Sequence, residues 1–252
     1  MFNLFGKNTH IDEEFFDWSV ALSRWIIANF DGLEQLRKTS LVTPGKSFFP
    51  ASELTGHARA AELFEQIKMH VDMADWRCEL QAQSERPPHM LGDSLQKFET
   101  SPPIGTYSER RDGDEIKSII TYDPAQLKTP ENLVATLSHE LAHLLMTSAK
   151  TEFPFDPELK EPATDGLAIM MGFGVFIANG SSGFHRDDQS WGYHRSGYLC
   201  EGEILHMLSA FMHLSRNNPG EAKRWLKPHL YKRLTGIHEE MAARAEITGL
   251  AS

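Results

Sequence analysis

Cysteine is scarce in this chain of 252 residues, which contains only Cys78 and Cys200. The two residues lie far apart in the sequence and outside any Cys-x-x-Cys spacing. A disulfide framework is therefore excluded, and free thiols in a reducing compartment are expected. The N-terminus shows no signal-peptide pattern, because charged residues interrupt its few apolar positions. These features predict a cytoplasmic protein.

Long hydrophobic runs and an excess of positive charge are also missing. The longest apolar run, residues 167–178, contains two glycines and is shorter than the roughly 20 residues that a transmembrane helix needs. Asp and Glu number 35 against 25 Lys and Arg, which gives a formal net charge of −10. An acidic surface argues against nucleic acid or an anionic membrane as a partner.

An H-E-x-x-H sequence is the most informative feature that the chain does have. It occupies residues 139–143, inside an apolar run that residues 129–131 introduce as N-cap, first-turn proline and first-turn acid. Positions i and i+4 share one face of a helix, so His139 and His143 point at one place. Two converging imidazoles are the beginning of a zinc site. Glu140 can then lie beside the metal-bound water as a general base.

A third ligand is predicted on the following helix. Glu161 comes 18 residues after the second histidine, and Asp165 shares its helix face at i+4. Asp165 can accept a hydrogen bond from the free N–H of a ligating histidine and so fix its orientation. Pro162 is acceptable only in a first helical turn, so this helix should begin near residues 159–161.

The combination of H-E-x-x-H with a later E-x-x-x-D resembles the gluzincin branch of the zincin metallopeptidases, whose compact versions are called minigluzincins. The resemblance covers about residues 116–168. It implies a zinc ion bound by His139, His143 and Glu161, with Glu140 as the base. It also implies a zincin-like fold, in which a small mixed sheet lies beside the H-E-x-x-H helix and further helices flank it.

A long glycine-rich stretch, residues 179–196, follows the ligand helix and reads as a loop. Long loops in compact domains are often functional. In the resembled family a Tyr or His donor commonly stabilises the oxyanion of the tetrahedral intermediate, so Tyr193 and His194 are the candidates here. The alternative is a surface loop anchored by Trp191.

The hydrophobic periodicity predicts an α+β fold that is mainly helical. We expect a single domain over residues 1–252, made of an N-terminal helical part (1–75), a metal core (76–180) and a loop with C-terminal helices (181–252). Within it, strands are expected at residues 76–83, 106–110 and 116–122. The last of these strands is expected to offer an edge to which an extended peptide can pair.

Zinc-dependent hydrolysis of a peptide or protein substrate is the function that these features predict. Two alternatives stay open: a metal-stabilised binding or regulatory module without catalysis, and a zinc hydrolase of a non-peptide amide or ester. A module would close its zinc with four protein ligands, whereas a catalytic site keeps one position open. The two histidines could also be ordinary core residues, and Glu158 competes with Glu161 as the third ligand.

Overall fold

The structure is a computed structural model, and it describes residues 12–84, 104–112, 115–181 and 198–250. Three helices come first and are followed by three strands. The remaining helices then close the described chain, so the predicted α+β, mainly helical fold is confirmed. In chain order the elements are α1 (Glu13–Asn29), α2 (Gly32–Lys38), α3 (Gly56–His70), β1 (Cys78–Ala82), β2 (Gly105–Asp112), β3 (Glu115–Tyr122), α4 (Pro130–Met146), α5 (Lys160–Ala168), α6 (Gly174–Ser181), α7 (Glu201–Ser215), α8 (Pro228–Ala242) and α9 (Ala245–Leu250).

The three strands form one mixed sheet in the order β1-β3-β2. β1 runs parallel to β3, and β2 runs antiparallel to it with Tyr107 opposite Ile120. The prediction that residues 116–122 form an edge is therefore wrong, because β3 is paired on both sides. Among the described strands, the edge that packs on α4 is β2.

The composition of the strands explains this order. β3 buries Ile119, Ile120 and Tyr122, and such side chains belong in a central strand that neighbours cover. β2 carries exposed charges at Glu109 and Arg110, a composition that protects an edge from unwanted pairing.

Helix α4 begins at Pro130 after Thr129, as the sequence predicts, and it lies between the sheet and helices α5 and α6. Its apolar side chains, such as Leu137 and Leu141, are fully buried. In the last turn, the carbonyl oxygens of Leu144 and Leu145 accept backbone N–H groups of Thr147 and Ser148, and the hydroxyls of the same two residues add a second bond to each. Thr147 Oγ1 donates to Leu144 O, and Ser148 Oγ donates to Leu145 O, both at 2.7 Å.

Helix α5 begins at Lys160, so Pro162 stands in its first turn as predicted. A π-helical turn, Ile169–Phe173, joins α5 to α6 and bends at Gly172, whose φ is 99°. A Cβ at Gly172 would lie 2.4 Å from the Ser40 carbonyl oxygen, so a side chain here is excluded by both space and backbone geometry. Helix α6 continues to Ser181, which corrects the expected start of the loop at residue 179.

The continuous helical stretch Pro157–Ser181 is long and apolar enough to span a membrane by length and composition alone. Its most apolar window, however, is 89% buried inside the protein. A buried core helix has the same composition, so this finding is weak evidence for a membrane span.

Aromatic rings connect α1 to the segment between α4 and α5. Trp25 meets Phe153 edge to face with ring centroids 5.7 Å apart, and Phe153 meets Phe155 at 5.3 Å. Phe155 in turn lies 6.0 Å from Trp18 on the same helix. Pairs of this kind stabilise beyond the area that they bury. They hold Trp25 close to the end of α4.

Candidate metal centre

Three donor atoms from α4 and α5 converge on one point. Glu161 Oε2 lies 3.3 Å from His139 Nε2 and 3.3 Å from His143 Nε2. Two atoms bound to one tetrahedral zinc at about 2.0–2.1 Å would be separated by about 3.3 Å. His139 is buried, and the other two side chains are half-buried. The structure thus brings together the predicted His139, His143 and Glu161 as a group that could hold a metal ion.

The second nitrogen of each imidazole is already engaged. His139 Nδ1 donates to Asp165 Oδ1 at 2.8 Å. His143 Nδ1 lies 3.3 Å from Thr164 Oγ1, whose own proton goes to the Lys160 carbonyl oxygen at 2.9 Å. A hydroxyl has only one proton to donate, so Thr164 accepts from His143. With both protons held on Nδ1 in this way, the Nε2 lone pairs of the two rings would be available to a metal ion.

Asp165 is fixed through both of its oxygens. Oδ1 accepts from His139, and Oδ2 accepts from the backbone N–H of Leu199 at 3.0 Å. The side chain is buried, one turn beyond Glu161 on α5. A carboxylate behind a histidine in this way sets the ring's tautomer and orientation. The structure places Asp165 where the sequence expected it.

In the absence of a cation, the surroundings of the group favour a positive charge on His139. Burial alone would lower the pKa of His139, but its hydrogen bonds to Asp165 and Glu161 raise that pKa well above its usual value. Burial raises the pKa of Glu161, yet the two histidines outweigh burial and hold it below the usual range. Such a site favours positive charge, and a divalent cation would supply it.

Glu140 is buried beside the group without belonging to it. Its carboxylate lies against the start of β2, since Glu140 Oε1 would be only 3.0 Å from a Cβ on Gly105. Burial raises the pKa of this carboxyl, and the two histidines only partly offset the rise. A raised pKa brings a carboxylate closer to the range in which it acts as a general base. The structure therefore places Glu140 between the predicted ligands and the edge strand.

Gly105 makes this placement sterically feasible. A Cβ there would lie 2.4 Å from Thr136 Cγ2 and 3.0 Å from Glu140 Oε1. The start of β2 therefore lies so close to α4 that position 105 has no room for a side chain.

Two tyrosines that the sequence did not single out flank the histidines. The Tyr107 ring stacks on His143 at 6.5 Å between centroids and 10° between planes. The Tyr198 ring lies 5.5 Å from His139 at 51°. Tyr107 donates its hydroxyl to Glu109 Oε1 at 2.7 Å, and burial together with that bond raises its pKa to about 12. The only sequence signal for Tyr107 was its position in a predicted strand before the metal helix.

Of the other residues that the sequence analysis singled out as candidate ligands, oxyanion donors or loop anchor, the structure describes only Glu158. Glu158, the competing ligand, is exposed in the short 3-10 turn Pro157–Leu159 and does not join the metal-binding group. Tyr193 and His194 lie outside the described residues, and so does Trp191.

Comparison of the chain with models of protein families, with curated proteins and with solved structures finds no match. The geometry of the metal centre therefore carries the functional conclusion.

Proposed function

We propose that this protein is a zinc-dependent metallopeptidase that hydrolyses peptide bonds in a peptide or protein substrate. The observation that carries the proposal is the convergence of two Nε2 atoms and one carboxylate oxygen at 3.3 Å contacts. Two histidines and a carboxylate suit zinc among the common divalent metals. Within the described ranges the group has three members, which is the ligand number typical of catalytic rather than structural zinc.

His139, His143 and Glu161 would hold the zinc, which would lower the pKa of a coordinated water and polarise the carbonyl group under attack. Glu140 then takes a proton from the attacking water and passes it to the leaving amine. Its buried position directly after His139 on α4 and against the start of β2 supports this role. Asp165 and Thr164 keep the two imidazoles oriented during these steps.

Strand β2 is the element that would align the substrate. It lies at the sheet edge next to α4, and its residues Gly105 and Tyr107 touch Glu140 and His143 respectively. An extended peptide can add to such an edge through main-chain hydrogen bonds. The peptide-binding role that the sequence assigned to residues 116–122 therefore passes to β2.

The substitution Glu140→Gln tests this proposal. The variant should keep its zinc, since Glu140 is not among the three ligands, and should lose turnover of an unfolded protein substrate by several orders of magnitude. The matched control is Glu131→Gln, because Glu131 is an exposed residue in the first turn of the same helix. Full activity in the Glu140→Gln variant would refute the role of Glu140 as the general base. Loss of zinc from this variant would refute the statement that Glu140 is not a ligand.

A further inference from the structure

A cavity of about 240 Å³ opens beside His143. It lies between the end of α4, the segment that leads to α5, helix α1 and strand β2. Half of its ten lining residues are aromatic or aliphatic: Trp25, Tyr107, Met146, Ala149 and Phe153. The other half are polar or charged: His143, Thr147, Thr151, Glu152 and Lys160. The volume is below the roughly 300–1,000 Å³ of sites for drug-sized ligands, so it suits a single side chain.

The indole N–H of Trp25 is already hydrogen-bonded within the protein and is not needed to bind a ligand. Its Nε1 donates to Thr151 Oγ1 at 3.1 Å and lies 3.3 Å from the Glu152 carbonyl oxygen. The indole ring therefore contributes apolar surface, and its edge-to-face contact with Phe153 holds both rings in place. Met146 adds a thioether, which packs well against aromatic rings.

The mouth of the cavity carries no net charge. Glu152 and Lys160 both line it, and both are exposed to solvent. Charges of opposite sign in water select poorly for a charged ligand, because solvent and salt screen them. The buried Trp25 and the half-buried apolar side chains around it therefore decide what the cavity binds, and they favour an uncharged, apolar group.

The cavity adjoins the metal centre at His143. His143 lines the cavity and is also a member of the metal-binding group. Tyr107, on the edge strand β2, lines the cavity too, and its ring stacks on the ring of His143. Successive side chains of an extended peptide point to opposite faces. A peptide paired along β2 would therefore present alternate side chains towards α4, and one of them would meet this cavity next to the reacting carbonyl.

We propose that this cavity binds a large apolar side chain, aromatic or branched aliphatic, from a residue that flanks the scissile bond. This inference rests on the proposed peptidase function and adds a substrate class to it. The cavity discriminates by burying apolar surface against Trp25, Met146 and Phe153.

The test uses amino-acid hydroxamates, which bind zinc through the same group and differ only in their side chains. Calorimetry on the zinc-loaded wild-type protein would give affinities for the hydroxamates of phenylalanine, leucine, alanine and glutamic acid. We expect the phenylalanine and leucine compounds to bind about tenfold or more tightly than the alanine compound, since each buried methylene contributes about 0.8 kcal/mol. The glutamic acid compound should gain nothing over alanine.

Filling the cavity should remove this preference. Ala149→Leu places a branched side chain in the lining, and the matched control Ala28→Leu makes the same change at an exposed position of α1. Ala149→Leu should bring the phenylalanine and alanine compounds to within about twofold of each other, with unchanged zinc content. Ala28→Leu should leave the full preference.

The possible results separate the two proposals. Equal, zinc-dependent binding of all four compounds, or tightest binding of glutamic acid hydroxamate, overturns the apolar subsite and leaves the metal centre standing. A clear aromatic preference supports the subsite even if the wild-type protein proves unable to cleave peptides, which would overturn the peptidase function alone. Zinc-loaded protein that binds none of the compounds overturns both.

Discussion

His139 Nδ1 and Asp165 Oδ1 lie 2.8 Å apart, and this bond joins helices α4 and α5 at the metal centre. The other oxygen of Asp165 accepts from Leu199, just before α7, so one buried carboxylate connects three parts of the chain. The orientation of the imidazole is therefore set by the fold as well as by a metal. A site organised in this way loses little entropy when a cation binds.

Replacing Asp165 with Asn should weaken zinc binding by about 10–100-fold. The two donors meet different oxygens of Asp165, and in Asn one of these oxygens becomes an NH2 group, so either His139 Nδ1 or the Leu199 backbone N–H would face a donor. Competition with a chromophoric chelator measures the affinity. The control is Asp17→Asn, which makes the same change at an exposed position of α1. Equal affinities for the two variants would contradict the role given to Asp165.

Replacing Thr164 with Val should weaken zinc binding several-fold and lower the free energy of unfolding by about 1–3 kcal/mol. The change leaves the His143 Nδ1–H and the Lys160 carbonyl without their shared partner in a fully buried position. Thr164→Ser keeps the hydroxyl and should restore the zinc affinity. If Ser and Val behave alike, the hydroxyl does not orient His143. Chelator competition and urea denaturation supply the two quantities.

Replacing Gly105 with Ala should lower the free energy of unfolding by about 1–3 kcal/mol, because overpacking forces neighbouring atoms to move. The added methyl would meet Thr136 Cγ2 at 2.4 Å. Thr136→Ser removes that methyl and retains the hydroxyl that accepts from Gln126. The double variant should therefore recover part of the lost stability. Strict additivity of the two single changes in denaturant unfolding would argue against the close approach of β2 to α4.

Stability should fall in acid through His206, which lies outside the metal centre. Burial, followed by the nearby positive charge of Arg244, lowers its pKa from 6.5 to about 4. Between those pH values the unfolded chain binds a proton that the folded chain does not. The free energy of unfolding therefore declines as pH drops through this window, by on the order of 3 kcal/mol for this one group.

The variant His206→Gln isolates this contribution, because glutamine does not titrate. It should be less stable than the wild type at pH 7.5, and its deficit should shrink as the pH falls towards 4. Urea denaturation at several pH values gives both curves. A deficit that stays constant across this range would show that His206 does not remain neutral in the folded protein.

Local patterns in the sequence were sufficient to predict most secondary elements. Helix α4 was predicted because residues 129–131 mark its start and its apolar positions follow one face. Pro162 predicted the start of α5, since proline is confined to a first turn. The spacing of His139 and His143 predicted their convergence for the same reason: one regular helix fixes their relative positions.

Relations between distant segments could not be predicted in this way. The alternation of residues in β3 is compatible with an edge or a central position, so strand order was missed. Trp25 reaches the cavity beside His143 only because α1 packs across the α4–α5 connection, and no periodicity in α1 encodes that neighbour. Tyr107 and Tyr198 likewise meet the histidines through tertiary packing alone.

The zinc content of two matched variants tests the central claim most directly. Glu161→Gln removes the carboxylate whose oxygen lies 3.3 Å from both Nε2 atoms, and Glu158→Gln makes the same change at an exposed position three residues earlier. After dialysis against a weak chelator, elemental analysis should find about one zinc per chain in the wild type and in Glu158→Gln, and far less in Glu161→Gln. Full zinc occupancy in Glu161→Gln, or no zinc in the wild-type protein, would contradict the account.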